Sequence, residues 1–369
     1  MYLKKLSLIN FKNYNQLDID FSPKINCFVG NNGVGKTNLL DAIYYMSFCK
    51  SYFNSIDSYN IKHNTEFFVI QGNYFFDNNI EKIYCGVKRN QKKQFKRNKK
   101  EYPKLSEHIG LIPLIMASPF DSNLIMDGSE ERRKLINGII SQYDKEYLED
   151  LIKYNRALSQ RNKLLKNLSK VKNIDKESIE IWDVQLVTLG NRIYSKRIKL
   201  IKELSPIFQK YYEFVSGGKE KIEIIYNSQL HEIEFNELLK KSLYKDRILQ
   251  YTTVGIHRDD LVFKLNKYPV KRIGSQGQQK TFLVALKLAK FDYIKQIYSF
   301  KPILLLDDIF DKLDINRVDK IIKLVADNNF GQIFITDTNT VRLKNMLNKI
   351  NIEYKLFNIE NENGNVKLN

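Results

Sequence analysis

Residues Gly30 to Thr37, Gly-Asn-Asn-Gly-Val-Gly-Lys-Thr, fit G-x-x-x-x-G-K-[ST] in full. No other stretch of the chain constrains its fold so tightly. Ile25 to Val29, apolar except for Asn26, precedes the motif, and helix-compatible spacing over residues 36–49 follows it. A strand feeding a glycine-rich turn and then a helix aims backbone N–H groups and the positive end of the helix dipole at one point, which suits phosphate. Gly30, Asn31, Asn32, Gly33, Val34 and Gly35 are expected to cradle the phosphates. Lys36 would reach the β- and γ-phosphates, and the Thr37 hydroxyl would be offered to Mg²⁺. A chance match in a Gly/Asn turn would require neither flanking element.

A second half of the same site stands far along the chain. Ile303 to Leu306 is a short, fully apolar run of the kind found in buried parallel strands, and Asp307 and Asp308 follow it. A carboxylate at the end of such a strand can hold Mg²⁺ beside a P-loop, which is the role expected of Asp307. Asp308 points differently and is the candidate catalytic residue, placed to orient an attacking water. Paired aspartates are often only a strand cap, but here a P-loop accompanies them. The distance from Lys36 to Asp307 is too long for a compact nucleotide kinase, so a large insertion divides the site. Ser275-Gln-Gly-Gln-Gln-Lys-Thr281 opens a helix continuing through 278–297. Ser275 and Gly277 at that helix start form a second anion-binding feature. A lone Ser in this position is usually a plain N-cap.

Between the two halves the pattern changes. Residues 2–30 read as short strands, with Leu6 and Leu8, then Leu17, Ile19 and Phe21, alternating with polar neighbours; 66–76 and 80–88 read as further strands. No proline occurs between Pro119 and Pro206. Within that interval Leu151, Tyr154, Leu158, Leu165 and Leu168 recur at three- and four-residue steps, and 179–204 repeats the pattern with Trp182, Leu186, Leu189 and Ile193. Lys172 to Asp175 would turn between two antiparallel helices, with too few heptads for a long coiled coil. Strand signals return after Gly217-Gly218. The expected architecture is an α/β P-loop ATPase head built from both chain ends. Its N-terminal part would be 1–120, a mostly helical arm 121–245, and its C-terminal part 246–369.

A formal net charge of +18 favours a polyanionic partner, although the chain's Lys, Asn, Ile and Tyr bias would produce an excess without one. Residues 88–100 concentrate eight cations in thirteen positions. Lys88, Arg89, Lys92, Lys93, Lys96 and Arg97 are the candidate DNA phosphate contacts on a hairpin, against the plainer reading of a solvated lysine-rich turn. Nothing signals base-specific readout. Arg156, Arg161, Lys163 and Lys166 could flank a DNA groove, with an exposed charged face the simpler account. Cys27, Cys49 and Cys85 are scattered, as expected in a reducing cytosol without a disulfide framework or zinc site. No signal-peptide core and no run of about 18 apolar residues is present, so the expected location is the cytoplasm, away from membrane.

In order, the P-loop, the long insertion, Ser275 to Thr281, Leu304 to Asp308 and Leu313-Asp314 resemble an ABC-type ATPase head of the SMC-like group. Within that group they resemble the bacterial RecF family of DNA replication and repair proteins. Four more segments carry the match. They are Leu6-Ser-Leu-Ile-Asn-Phe11-Lys-Asn-Tyr14; Ser118-Pro-Phe-Asp121 with Gly128-Ser-Glu-Glu-Arg132-Arg133; Trp182-Asp183 with Gln185-Leu186 and Gly190; and Gly255-Ile-His257-Arg258-Asp259-Asp260. The chain departs from the family pattern at Lys12, where Arg is usual, at Asp41, where Glu is more common, and at Ile256, where Pro is usual. Phe310 and Lys312 vary the segment leading to Asp314. Asp308 replaces a glutamate, and Asp337-Thr338 stands where ABC transporters carry a switch histidine.

The resemblance implies an ATP-gated homodimer in which two heads sandwich two ATP molecules. Each nucleotide would lie between one subunit's P-loop and the other's Ser275 and Gly277. It implies slow, DNA-linked ATP hydrolysis, binding to gapped or single-strand/duplex junction DNA, support of RecA loading with RecR and RecO as partners, and a part in the SOS response. It also leads us to expect His257 and its neighbours to shape the head near the nucleotide or the dimer interface, with Arg132 and Arg133 as phosphate or interface contacts against the plainer reading of helix-surface charges. Two rivals differ visibly. A transporter-type ABC subunit would carry a switch histidine and no His-Arg-Asp-Asp block, and an SMC-type head would need hundreds of heptad residues.

Overall fold

The computed structural model describes residues 1–168, 176–218, 220–310, 315–326, 330–348, 353–362 and 365–368. The expected turn at Lys172 to Asp175 and the Leu313-Asp314 pair lie outside them. Alternating side chains make the opening strands β1 (Tyr2–Phe11) and β2 (Tyr14–Asp20), and the apolar run becomes β3 (Ile25–Val29), which leads to α1 (Lys36–Phe48). Next come β4 (Phe67–Phe76), β5 (Asn79–Lys88), β6 (Gln94–Arg97), β7 (Lys100–Glu101) and β8 (Leu114–Ala117). The proline-free interval forms α2 (Asn123–Met126), α3 (Ser129–Tyr143), α4 (Lys145–Leu168) and α5 (Lys176–Ser216). Then follow β9 (Ile222–Asn227), α6 (Phe235–Leu249), β10 (Asp260–Leu265), β11 (Tyr268–Pro269), α7 (Val270–Ile273) and α8 (Gln276–Ile297). The chain closes with β12 (Ile303–Asp307), α9 (Ile315–Ala326), β13 (Ile333–Asp337), α10 (Thr340–Leu347), β14 (Tyr354–Glu362) and β15 (Asn365–Leu368).

Two compact units result. The first comprises Met1–Asp121, Tyr211–Lys219 and Gln276–Asn369; the second comprises Ser122–Lys210 and Glu220–Ser275. The first unit holds two six-stranded sheets, ordered β2-β1-β4-β5-β6-β7 and β15-β14-β3-β13-β12-β8. In the second of these sheets β14, β3, β13, β12 and β8 are parallel, so their carboxyl ends open on one edge, where ligands of α/β sheets bind. Strands β3, β12 and β13 are buried at every position, which is why apolar residues dominate them, with Asn26, Asp307, Thr336 and Asp337 the polar exceptions. One core joins both sheets through α1. It includes Leu6 and Leu8, Leu39 and Ile43, and Phe28, Leu305 and Phe334.

In the second unit, ion pairs set α4 and α5 antiparallel. Arg161 meets Asp183 at 2.6 Å, Asp150 meets Arg192 at 3.0 Å, and Asp144, the residue before α4, meets Lys196 at 2.9 Å, so an advance along α4 is a retreat along α5. Gly190 lets α5 approach its neighbours, since a Cβ there would lie 2.5 Å from the Phe235 ring. Helix α5 outruns the expected 179–204 because it passes through Pro206. Proline lacks the N–H of a helical bond there, and the Ser205 hydroxyl donates to the Ile201 carbonyl at 2.6 Å.

The dividing point also differs from residue 245/246. Residues 246–275 fall in the second unit because β10 pairs antiparallel with β9 from Asp260–Asn227 to Leu265–Ile222, a ladder that closes within that unit. The second unit therefore carries a small sheet, β11-β10-β9, beside its helices.

Candidate functional site

The P-loop leaves the carboxyl end of β3 in a conformation that needs its glycines. Gly30 and Gly35 have φ of +151° and +116°, and a Cβ on them would lie 2.3 Å from the Ile359 carbonyl oxygen and 2.5 Å from Asn13 Nδ2. The loop is braced by the turn after β1. Asn13 Nδ2 donates to the Val34 carbonyl at 3.0 Å, the Tyr14 hydroxyl donates to the Gly35 carbonyl at 3.0 Å, and Asn38 Nδ2 donates to Asn13 Oδ1 at 2.8 Å. Lys36 Nζ folds back onto the loop, donating to the Gly30 and Asn31 carbonyls at 2.7 and 2.8 Å. Burial lowers its pKa, while Asp308, Asp307 and Asp337 pull the other way. Asn31, Asn32 and Gly33 form an exposed rim, with Val34 half-buried.

Across the site, Asp307 at the end of β12 collects hydroxyls. Thr37 Oγ1 donates to it at 2.9 and 3.2 Å, Thr336 Oγ1 at 2.8 Å and Ser118 Oγ at 3.2 Å. Burial raises the pKa of this carboxyl, and the hydroxyl contacts oppose the shift. The sequence reading placed Thr37 and Asp307 together as Mg²⁺ ligands, and they touch. A hydroxyl and a carboxylate in direct contact beside a P-loop are hard oxygen donors of the type Mg²⁺ takes, so the donor set fits that ion. Asp308 follows with φ +49°, a left-handed value uncommon outside glycine, and its N–H donates to Thr336 Oγ1 at 3.0 Å.

Ser275 directly precedes α8, and both it and Gln276 are exposed, with Gly277 half-buried. Farther along α8, Lys287 Nζ meets Asp121 Oδ1 at 2.5 Å, and Asp121 Oδ2 accepts the Ser118 N–H at 2.7 Å. Helix α8 is thus tied to the segment whose Ser118 touches Asp307.

The family described as RecF/RecN/SMC N terminal domain matches residues 2–363. A DNA replication and repair protein RecF from Bacteroides fragilis is 54% identical over 361 residues, covering 98% of this chain and 97% of that protein. The chain belongs to the RecF family. The RecF of Flavobacterium johnsoniae is 47% identical over 97% of this chain and all of its own length. Among solved structures, the recombination mediator protein RecF-ATP of the RecFOR pathway superposes with a TM-score of 0.88 at 33% identity, covering 100% of this chain and 97% of that one. An Smc head domain from Pyrococcus furiosus, at 17% identity and TM-score 0.58, shares the fold.

The RecF-family block Gly255 to Asp260 serves as a fastening inside the second unit. His257 Nε2 bonds the Thr252 carbonyl at 3.0 Å and so carries the proton, which leaves Nδ1 to accept from the Tyr154 hydroxyl at 2.9 Å. Asp259 pairs with the buried Arg197 at 2.9 Å and with the Tyr226 hydroxyl. Asp260 takes Arg132 through two bonds of 2.7 and 3.0 Å, and Arg133 donates to the Asp259 carbonyl at 2.7 Å. Of the four residues His257 to Asp260, Arg258 alone is exposed. Arg161 is also internal. It lies fully buried between Asp183 and Asp246, so it flanks no groove. The signal missed was Asp183, which the sequence places within reach on the facing helix.

On the β5–β6 hairpin, Lys88, Arg89 and Lys92 are exposed. Lys93 turns inward, meeting Asp57 at 2.7 Å, the Cys49 carbonyl at 2.6 Å and the Tyr45 hydroxyl at 3.0 Å. It clamps the hairpin to α1. Arg97 is forked onto Glu81 at 2.8 and 2.9 Å, and Lys96 Nζ lies 5.5 Å from the Tyr84 ring centre. Among the described residues no helix is long and apolar enough to cross a membrane.

Proposed function

We propose that this chain is an ATP-dependent DNA-binding protein of DNA replication and recombinational repair, closing as a homodimer on gapped or single-strand/duplex junction DNA when ATP is bound. The observation that carries the reading is the P-loop with Thr37 and Asp307 already in contact at its mouth. Gly30 to Lys36 would hold the phosphates, and Thr37 and Asp307 would hold Mg²⁺, which when bound neutralises charge on the β- and γ-phosphates. Asp308, set in a strained backbone, would orient water. Its side chain is one methylene shorter than the glutamate usual there, which supports slow hydrolysis.

Ser275 and Gly277 would complete the site of a second subunit. Gly277 precedes Lys287 by ten residues of α8, about 15 Å along the axis at 1.5 Å per residue. Lys287 is the residue tied to Asp121, so the exposed start of α8 stands well away from that contact along the helix. Lys88, Arg89, Lys92 and Lys96 are the proposed DNA phosphate contacts, with Lys93 and Arg97 shaping the hairpin that presents them. A cytoplasmic location, RecR and RecO as partners, support of RecA loading and a part in the SOS response follow from the RecF relationship.

Mixing two disabled variants tests the composite site. Lys36→Ala lacks a working P-loop, and Ser275→Arg lacks a working α8 terminus. Each alone should fail to form an ATP-dependent dimer on DNA, and a mixture should recover it because one intact site assembles. No recovery in the mixture would count against sites shared between subunits.

A further inference from the structure

We propose that Arg342 is the residue that reads the terminal phosphate of a bound nucleoside triphosphate, held ready for it by Asp337; this rests on the ATP-site reading above. Strand β13 lies between the P-loop strand and β12. Thr336 pairs in register with Asp307, and Asp337 pairs with Val29, the residue before Gly30. The end of β13 therefore opens onto the place where a phosphate chain leaving the P-loop meets the carboxylates.

Asp337 is buried, at 1% exposure, and a buried carboxylate needs a cation. Arg342 supplies it through three contacts: Nη2 to Oδ1 at 2.8 Å, Nη2 to Oδ2 at 2.9 Å and Nε to Oδ2 at 3.2 Å. These use Nε and Nη2; Nη1 takes no part in them. The arginine side chain retains 34% exposure, so the pair is roofed by a guanidinium that solvent reaches. Its base is fixed as well. The Asn339 N–H donates to Asp337 Oδ1 at 2.7 Å, and Asn339 Oδ1 accepts the Arg342 N–H at 2.8 Å.

Charge shows why this cation matters for a triphosphate. Asp307, Asp308 and Asp337 all act on Lys36. Adding a γ-phosphate brings further negative charge to a place where carboxylates already outnumber that lysine. Mg²⁺ at Thr37 and Asp307 would offset it on the β12 side. On the β13 side the cation is Arg342, whose planar fork matches phosphate oxygens and binds them more strongly than a neutral donor does. A diphosphate ends short of this position and would not engage it.

Calorimetric titration with ATP and with ADP, both with Mg²⁺, tests the assignment on the full chain. Arg342→Ala should weaken ATP about tenfold or more, the worth of one charge-assisted hydrogen bond, and leave ADP within about twofold. Arg342→Lys should recover part of the ATP preference, and it carries the test if the alanine variant does not fold. Asp337→Asn with Arg342→Ala should stay as poor for ATP as Arg342→Ala alone. Equal loss of ATP and ADP would make Arg342 a structural group. Recovery in the double variant would reduce it to a counter-charge for Asp337, and either result overturns the proposal. Lys36→Ala should lose both nucleotides. If the unsubstituted chain binds neither, the ATP site itself is wrong, an outcome distinct from a lost ATP/ADP ratio.

Discussion

Position 35 admits only glycine on two independent grounds, its φ of +116° and the Asn13 amide 2.5 Å from any Cβ. Gly35→Ala should therefore weaken ATP at least tenfold in a binding titration, while circular dichroism reports an intact fold. The pairing of Lys12 with Asp41 makes a second point at this scale. Both residues depart from the RecF pattern, and they meet at 2.5 Å, with Asp41 fully buried and also accepting from Ser51 and the Tyr52 N–H. Lys12→Met would strand that carboxylate and should cost about 3 kcal/mol or more in urea unfolding, whereas Lys12→Arg should cost little. Placements carried by a fixed spacing, such as Lys36 folded onto its loop and Thr37 against Asp307, were legible in the sequence. Roles set by which way a side chain turns were not. Lys93 and Arg161 look like any other cation in a basic run until a carboxylate from a distant segment is placed beside each.

Elements were legible where hydrophobic period and length agree. Strands β3 and β12 and helices α1 and α8 came out close to their expected bounds, because a short, mostly apolar run before a turn has few alternatives. The end of α5 was not, since a proline ordinarily stops a helix and here does not. Helix α8 also carries a hidden titration. Burial, reinforced by Lys287 and opposed by Asp121, pushes Lys290 down to about 7. Between pH 7 and its ordinary 10.5 the unfolded chain holds a proton there that the folded chain lacks. Stability should therefore rise with pH across that window, with the full penalty present below pH 7. Lys290→Met should raise the melting temperature at neutral pH and flatten the rise. His257 adds a slope on the acid side. Burial first, despite the bond to the Thr252 carbonyl, lowers it to about 4, so stability should fall as pH drops from 6.5 towards 4. His257→Gln should reduce that fall in thermal melts.

The whole chain is a head assembled from both ends with a helical unit inserted between them, and that much followed from the separation of Lys36 and Asp307. The assignment of residues 246–275 did not, because strand pairing between β9 and β10 leaves no mark in composition. The same limit applied to the block Gly255 to Asp260. The resemblance suggested a shaping role for it, and which partners it fastens to, Arg197, Arg132 and Tyr154, is visible only in the structure. The proposed function at this scale depends on coupling between nucleotide and DNA. The most direct measurement is fluorescence anisotropy of a gapped duplex titrated with the chain in Mg²⁺, with and without ATP, beside Lys36→Ala. Tight binding that requires ATP and is lost in Lys36→Ala is the expected result. Equal binding with and without ATP, or no binding at all, would contradict an ATP-gated DNA clamp.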